Sequence, residues 1–447
     1  MALSGIQIYK LLPQTNCKEC GFPTCLAFAM KLAAKQVELS ACPYVSEASK
    51  TQLAESAAPP VRLITLKSKS AEFATGNEVV LFRHEKTFYR RPGVFIRVKD
   101  TDGLESIQSA VARAEAYAVG YVGIDLTIDG FAVEDKSGSA ATFAAAVKAT
   151  RATSARPLIL VSHDRAVISA GLAELAGERP LICGADESNW EAMTAAAKQS
   201  QSALVVVASS LDGLAALAEK IKAAGVEDLV LDPSGAGLSA SLANNTLIRR
   251  LAIKKNFRAL GYPILCFAGV GTASALEEAI NATQAIAKYA GFIVLDSFQP
   301  ELIYSLLVLR QNIYTDPQKP IQVQPGLYEI NSPRPDSPLL VTTNFSITYF
   351  SVANEVEGSG IPAWLLVVDA EGMSVLTAWA AGKFDSDRIA KAVKTFDVAD
   401  KVQKKRLILP GHVAVLSGEV EESLPGWEIR VGPREAVDIP AFMKKAL

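Results

Sequence analysis

An excess of charge of either sign is missing from this sequence: 45 Lys and Arg stand against 47 Asp and Glu, a formal net charge of −2. No basic stripe interleaved with aromatics runs through it, which excludes an electrostatic nucleic-acid footprint. No apolar run approaches the roughly 20 residues of a membrane helix. The opening Met1-Ala2-Leu3-Ser4-Gly5 lacks the basic and apolar regions of a secretory signal. A cytoplasmic protein with no nucleic-acid and no membrane partner is expected. Histidine is scarce, at three in 447 residues (His84, His163, His412), so chemistry by clustered imidazoles is excluded. Cysteine is scarce too, at six, and reduced in a cytoplasmic setting, so disulfides are not expected.

What is present is ordinary globular composition, 49% hydrophobic and 21% charged, in a length that suggests about three domains at roughly 150 residues each. Four of the six cysteines crowd into the first tenth of the chain. Cys17, Cys20, Cys25 and Cys42 follow the spacing Cys-x2-Cys-x4-Cys-x16-Cys-Pro. A helix from Cys25 carries the chain about 16 Å away from the loop, and residues 36–41 span roughly 20 Å if extended, so Cys42 can return. Four thiolates can then surround one metal centre. Tetrathiolate zinc sites favour paired Cys-x2-Cys knuckles, and the second pair is missing here. A terminal Cys-Pro recurs in iron–sulfur ligation. The pattern favours iron–sulfur over zinc and leaves zinc open. A head of residues 1–57 is too small to stabilise itself by burial alone. Cys183 and Cys266 stand apart in apolar strands and read as small buried hydrophobes.

Residues 58–318 repeat an apolar strand, a polar turn and an Ala-rich helix. Strands are expected at Val94–Val98, Tyr121–Asp125, Pro157–Val161, Leu181–Cys183, Ala203–Val207, Asp228–Leu231, Pro263–Phe267 and Phe292–Leu295. Continuous apolar strands imply a parallel sheet buried on both faces, and eight units are the count of a (β/α)8 barrel. A hairpin of Glu78–Phe82 and Thr87–Arg91 is expected to close its floor. Asp100, Asp125, Ser162, His163, Asp164, Asp232 and Asp296 stand at the strand ends where barrels do chemistry. Helix capping accounts for such positions equally well. Two glycine loops, Gly235–Ala240 and Gly269–Thr272, read as tight turns.

Six prolines mark residues 315–338 as a stiff exposed segment. The βα rhythm then restarts, with strands at Leu339–Thr343, Ala363–Asp369, Arg406–Leu409 and Trp427–Val431. Four units cannot close a barrel, so residues 319–447 are expected to form a small open parallel α/β (Rossmann-like) sheet. Open sheets bind ligands beyond the carboxyl ends of their strands. That rule selects Leu340, Thr342, Thr343, Asn344 and Ser346 at the first strand, and Ala370, Glu371, Gly372, Met373 and Ser374 after the second. Gly411 and His412 follow the third strand, and Gly432, Pro433 and Arg434 the fourth. These loops carry few strong acids or bases and suit a large, amide-rich neutral ligand.

Taken together, the chain resembles the large (gamma) subunit of the corrinoid iron–sulfur protein of the acetyl-CoA (Wood–Ljungdahl) pathway. The resemblance runs the whole length. It is most specific at Asn16-Cys17-Lys18-Glu19-Cys20-Gly21-Phe22-Pro23-Thr24-Cys25 with Cys42-Pro43-Tyr44, and weaker at Thr342–Ser346 and Leu409–His412. It implies a multidomain α/β protein: a helical iron–sulfur head, a TIM barrel and a corrinoid-binding tail. It implies that Cys17, Cys20, Cys25 and Cys42 ligate a [4Fe–4S] cluster and that the tail holds a cobamide. The function implied is a methyl carrier. It takes a methyl group from methyltetrahydrofolate through a separate methyltransferase and delivers it to acetyl-CoA synthase. The cluster returns oxidised cobalt to its reduced state, and a small subunit completes a heterodimer. Such a chain is a carrier subunit rather than a stand-alone enzyme, with no catalytic side chain of its own expected. None of the three histidines lies in the Asp-x-His-x-x-Gly context that supplies cobalt with imidazole, so cobalt without a protein histidine is expected. His412 reads as a loop residue near the corrin because its loop lacks a carboxylate to orient it. Two rival readings are an iron–sulfur electron-transfer or scaffold subunit, and a folate-dependent methyltransferase using Asp125, Asp232 and Asp296 at the barrel top.

Overall fold

The computed structural model describes residues 5–33, 36–47, 49–50, 53, 59–85, 88, 90–121, 124–233, 237–316 and 320–446. The chain divides into two compact units, one of residues 1–117 and 127–314, the other of residues 118–126 and 315–447.

In the first unit, α1 (Gly5–Tyr9) and α2 (Cys25–Ala33) bury Ile8, Leu12, Phe28 and Ala29 together with Cys25 and Cys42. Thr24 Oγ1 accepts from Ala27 N at 3.0 Å and starts α2.

Eight parallel strands among the described residues close into a barrel: β3 (Gly93–Lys99), β6 (Gly130–Glu134), β7 (Leu158–Val161), β8 (Leu181–Ala185), β9 (Ala203–Val207), β10 (Leu229–Asp232), β11 (Ile264–Phe267) and β12 (Ala290–Leu295). Alternate side chains fill its interior, among them Phe95, Ala132, Ile159, Leu181, Val205, Val230, Leu265 and Phe292, as a packed barrel requires.

Two expectations fail here. The second barrel strand is Gly130–Glu134, buried at every position, not Tyr121–Asp125. The latter stretch forms an antiparallel hairpin, β4 (Val119–Tyr121) with β5 (Ile124–Leu126), and is grouped with the second unit. Its alternating apolar residues have the period of a half-exposed strand, which masked the short run that follows. The floor hairpin also lies earlier, at β1 (Ile64–Lys67) and β2 (Glu72–Thr75). Phe73 packs edge-on against Phe95 at 5.7 Å and Phe292 at 5.6 Å, at the amino ends of β3 and β12. Residues 78–82 form no strand. Glu78 is buried there, accepting from Arg90 N at 3.0 Å. The other expected arm, Thr87–Arg91, lies partly outside the described residues.

The second unit carries a five-stranded sheet in the order β13-β15-β14-β16-β17, where β13 is Gly326–Ile330, β14 Leu339–Thr343, β15 Ala363–Val368, β16 Arg406–Leu409 and β17 Glu428–Val431. The last four strands are parallel, as expected. β13 is an added antiparallel edge inside the proline-rich segment. Pro325 and Pro333 bracket it, so its own residues keep their donors, and an edge position tolerates prolines at its ends. Leu339, Val341, Trp364, Leu366 and Val368 bury one face of the sheet. Leu340, Leu365, Val367 and Ile408 bury the other, with the period of two that strands impose.

Candidate functional site

The chain leaves β14 for β15 on one side and returns to β16 on the other. Strand order therefore reverses between β14 and β16, where open α/β sheets hold their ligands. A cavity of about 360 Å³ lies at that point. Leu340 and Thr342 of β14, Ile408, Leu409, Pro410 and His412 from β16 onward, Ser374, and Gly432, Pro433 and Arg434 after β17 line it. Seven residues chosen from the sequence are thus brought together: Leu340, Thr342, Ser374, His412, Gly432, Pro433 and Arg434.

The others serve the walls. Asn344 is 1% exposed. Its Oδ1 accepts from Ala370 N at 2.9 Å and Gly372 N at 3.0 Å, while its Nδ2 donates to Gln322 Oε1 and Asp369 Oδ1. It ties three loops and faces no cavity. Ala370 is buried and Met373 packs on the core. Glu371 pairs with Lys383 at 2.6 Å, and Gly372 turns the loop with φ of 74°. Gly411 donates to Pro433 O at 2.9 Å. A Cβ on it would stand 2.6 Å from Gly432 O and 2.8 Å from Arg434 N, so only glycine lets these two loops meet.

The hydroxyls of Thr342, Thr343 and Ser346 are buried without a hydrogen-bond partner. Native interiors seldom leave such groups unmet; of the three, Thr342 lines the cavity and can offer its hydroxyl to a ligand. Ile347, Thr348, Ser351 and Val352 on the helix Ser346–Ser359 also line the cavity, as do Leu376, Ala436 and Ile439. Sequence reasoning missed them because it stopped at loops. Their signal was the i, i+1, i+4, i+5 face that helical spacing creates, and Ile347 and Leu376 remain exposed at 60% and 46%.

His412 calls for a correction. Its own loop has no carboxylate, but Glu435 Oε1 lies 3.5 Å from its Nε2. This nearby carboxylate comes from the adjacent loop after β17, which the sequence order conceals.

In the head, Cys17 is exposed, Cys20 half-buried, and Cys25 and Cys42 buried. Cys20, Cys25 and Cys42 share one apolar cluster. Asn16 Oδ1 accepts from Cys25 N at 2.8 Å and closes the loop on itself. Tyr44 Oη donates to Glu19 Oε1 at 2.7 Å, joining the Cys42 segment to the loop. The carboxylate beside it raises the Tyr44 phenol above its ordinary pKa, and the nearby Cys17 and Cys42 add to this. Among the described residues no three His, Cys, Asp or Glu side chains converge as a single ion requires. Zinc would need sulfurs about 3.8 Å apart, given tetrahedral bonds near 2.3 Å.

The barrel mouth is different. Arg97 pairs with Asp296 at 2.6 Å and with Glu134 at 3.3 Å. Asp100 accepts from Lys136 N and Ser137 N, and Asp164 caps the helix Arg165–Ala173. His163 pairs with Asp186 at 3.2 Å, and Ser162 donates to Asp135. Asp125 lies on the β4–β5 hairpin, not at the mouth, and Asp296 is an ion-pair partner rather than a cap. Thr272 N reaches Gly269 O in a tight turn. Gly235 and Ala236 lie outside the described residues. Burial raises the Cys183 thiol well above its ordinary pKa and pushes Cys266 up to about 12, as expected of inert core cysteines. No helix among the described residues is long and apolar enough to cross a membrane.

Residues 64–443 match the family described as CO dehydrogenase/acetyl-CoA synthase delta subunit, and residues 12–44 match one described as "Putative Fe-S cluster". The corrinoid/iron-sulfur protein large subunit of Moorella thermoacetica is 44% identical over 447 residues, 100% of each chain. The acetyl-CoA decarbonylase/synthase complex subunits gamma of Archaeoglobus fulgidus and Methanopyrus kandleri are 35% and 33% identical, each over 99% of this chain and 98% of their own. Among solved structures, 7,8-dihydropteroate synthase from Vibrio fischeri ES114 covers 57% of this chain and 99% of its own at 17% identity and a TM-score of 0.39, too weak a likeness to carry an argument. A cysteine head, a closed barrel and a pocketed α/β sheet, aligned end to end with these relatives, show that the chain belongs to the family of the corrinoid/iron-sulfur protein large subunit and the acetyl-CoA decarbonylase/synthase gamma subunits.

Proposed function

We propose that this chain is a corrinoid methyl carrier. It takes a methyl group from methyltetrahydrofolate through a separate methyltransferase and delivers it to acetyl-CoA synthase, working as a heterodimer with a small subunit. The observation that carries the reading is the 44% identity along the whole of both chains to a corrinoid/iron-sulfur large subunit. When bound, a corrinoid supplies a nucleophilic cobalt that accepts and releases a methyl group, and a [4Fe–4S] cluster supplies the single electrons that keep that cobalt reduced.

The residues fit both groups. Cys17, Cys20, Cys25 and Cys42 give four thiolates on a loop and a returning segment, three of them in one apolar cluster. Thr342 offers the cavity a buried hydroxyl without a partner, which an amide side chain of a corrinoid can meet. Leu340, Ile408 and Leu409 give the cavity an apolar floor, and Gly432 and Pro433, packed on Gly411, bring backbone to its rim. A whole corrinoid is larger than the cavity, so only part of it enters. His412, with Glu435 Oε1 3.5 Å from its Nε2, would stand at the ligand's rim. That cobalt takes no protein histidine rests on the missing Asp-x-His-x-x-Gly sequence, since the carboxylate argument does not hold.

The test is methyl transfer by the purified heterodimer. With methyltetrahydrofolate, the methyltransferase and a reductant, the visible spectrum of the corrinoid should change with uptake of one labelled methyl group, and acetyl-CoA synthase should discharge it. A heterodimer that carries corrinoid but takes up no label under these conditions would refute the proposal.

A further inference from the structure

We propose that Glu19 and Tyr44 form a brace that fastens the Cys42 segment onto the Cys17–Cys25 loop and sets how long the iron–sulfur cluster is retained. The inference rests on the assignment of the four cysteines to that cluster. Each partner rides on the turn of a ligand: Glu19 lies between Cys17 and Cys20, and Tyr44 lies two residues after Cys42. Their hydrogen bond, 2.7 Å long, spans 25 positions of sequence. A phenol donating to a carboxylate makes a charge-assisted bond, stronger than a neutral one.

The loop needs such a fastening. Its backbone takes left-handed φ values at Gln14 (60°), Asn16 (51°) and Lys18 (66°) as well as at Gly21 (82°). Side-chain-bearing residues hold that conformation only where their surroundings over-determine it. The Asn16–Cys25 bond closes the loop upon itself but does not reach the fourth ligand. Beside apolar packing around Cys20, Cys25 and Cys42, the Glu19–Tyr44 bond is a polar link, among the described residues, between the two parts of the ligand set. Tyr44 is 52% exposed and Glu19 is exposed, so neither serves the core.

The test follows cluster absorbance of the anaerobic heterodimer after addition of an iron chelator. Tyr44→Phe and Glu19→Ala should release iron roughly two- to tenfold faster, the factor that one net hydrogen bond supplies. Glu19→Gln, whose amide oxygen still accepts from the phenol but without charge, should fall between the wild-type rate and that of Glu19→Ala. The electron paramagnetic resonance lines of the reduced cluster should broaden in Tyr44→Phe and not in Glu19→Gln. A Tyr44→Phe protein that holds its iron as long as wild type overturns the brace, as does a Glu19→Gln protein that loses it as fast as Glu19→Ala. A wild-type protein that carries zinc or no metal refutes the cluster assignment instead, before any variant is compared.

Discussion

The carboxyl ends of parallel strands are laid out twice in this chain, once at the barrel mouth and once at the five-stranded sheet, and the two are finished in opposite ways. At the barrel mouth the charged groups answer one another. Arg97 bridges Glu134 and Asp296, and Asp100 and Asp164 accept from the backbone of the next turn. At the sheet, strand order reverses, an apolar cavity of about 360 Å³ opens, and three buried hydroxyls have no partner. The same rule of sheet topology locates both edges. Buried polar atoms without a hydrogen bond occur at both, Arg97 Nε and Asp296 Oδ1 at the mouth among them, so it is the apolar cavity at the strand-order reversal that tells the ligand edge from a mouth lined by Glu134, Lys136, His163 and Arg165.

The largest expected effect lies outside both edges. Cys25→Ser should abolish the cluster, read as loss of iron and of its visible absorbance, because a buried hydroxyl is a poor substitute for thiolate and the head has little other core. Next, Gly411→Val should lower corrinoid content roughly tenfold or more, the consequence of ~1.4 kcal/mol of misfit, since its side chain meets the backbone of Gly432–Arg434. Cobalt analysis checks it.

Arg97→Met tests the other side of the comparison. It takes the partner from Asp296, while Glu134 keeps Lys136 at 2.9 Å, and should cost about 1–3 kcal/mol of stability in denaturant unfolding, while the folded protein keeps its corrinoid. Loss of corrinoid with intact stability would make the barrel mouth the ligand site. Asn344→Ala removes acceptors from Ala370 N and Gly372 N and should destabilise the sheet unit by about 2 kcal/mol, weakening corrinoid binding only through loosened loops. His412→Ala should have the smallest effect: an unchanged visible spectrum of the bound corrinoid. A shifted cobalt band would show that the imidazole beside Glu435 is a ligand.

Legibility followed burial. The barrel was readable because doubly buried strands such as Ala203–Val207 are unbroken apolar runs, and seven of the eight strands were found that way. The second strand escaped because Gly130-Phe131-Ala132-Val133-Glu134 ends in a charge that Arg97 neutralises, a partner remote in sequence. The edge strand Gly326–Ile330 was hidden by the prolines around it. At the candidate site, loop residues could be chosen by the strand-end rule. It could not distinguish Thr342, which faces the cavity, from Asn344, which ties the loops beneath it, since both stand beyond the same strand. Nor could it see that Glu435 faces His412, because that contact is made across two loops rather than within one.

Metal content of the anaerobically purified heterodimer tests the central claim most directly. One cobalt and four irons for each copy of this chain, with the visible spectrum of a corrinoid over that of an iron–sulfur cluster, is the predicted result. A cobalt-free preparation that still supports methyl transfer would contradict it.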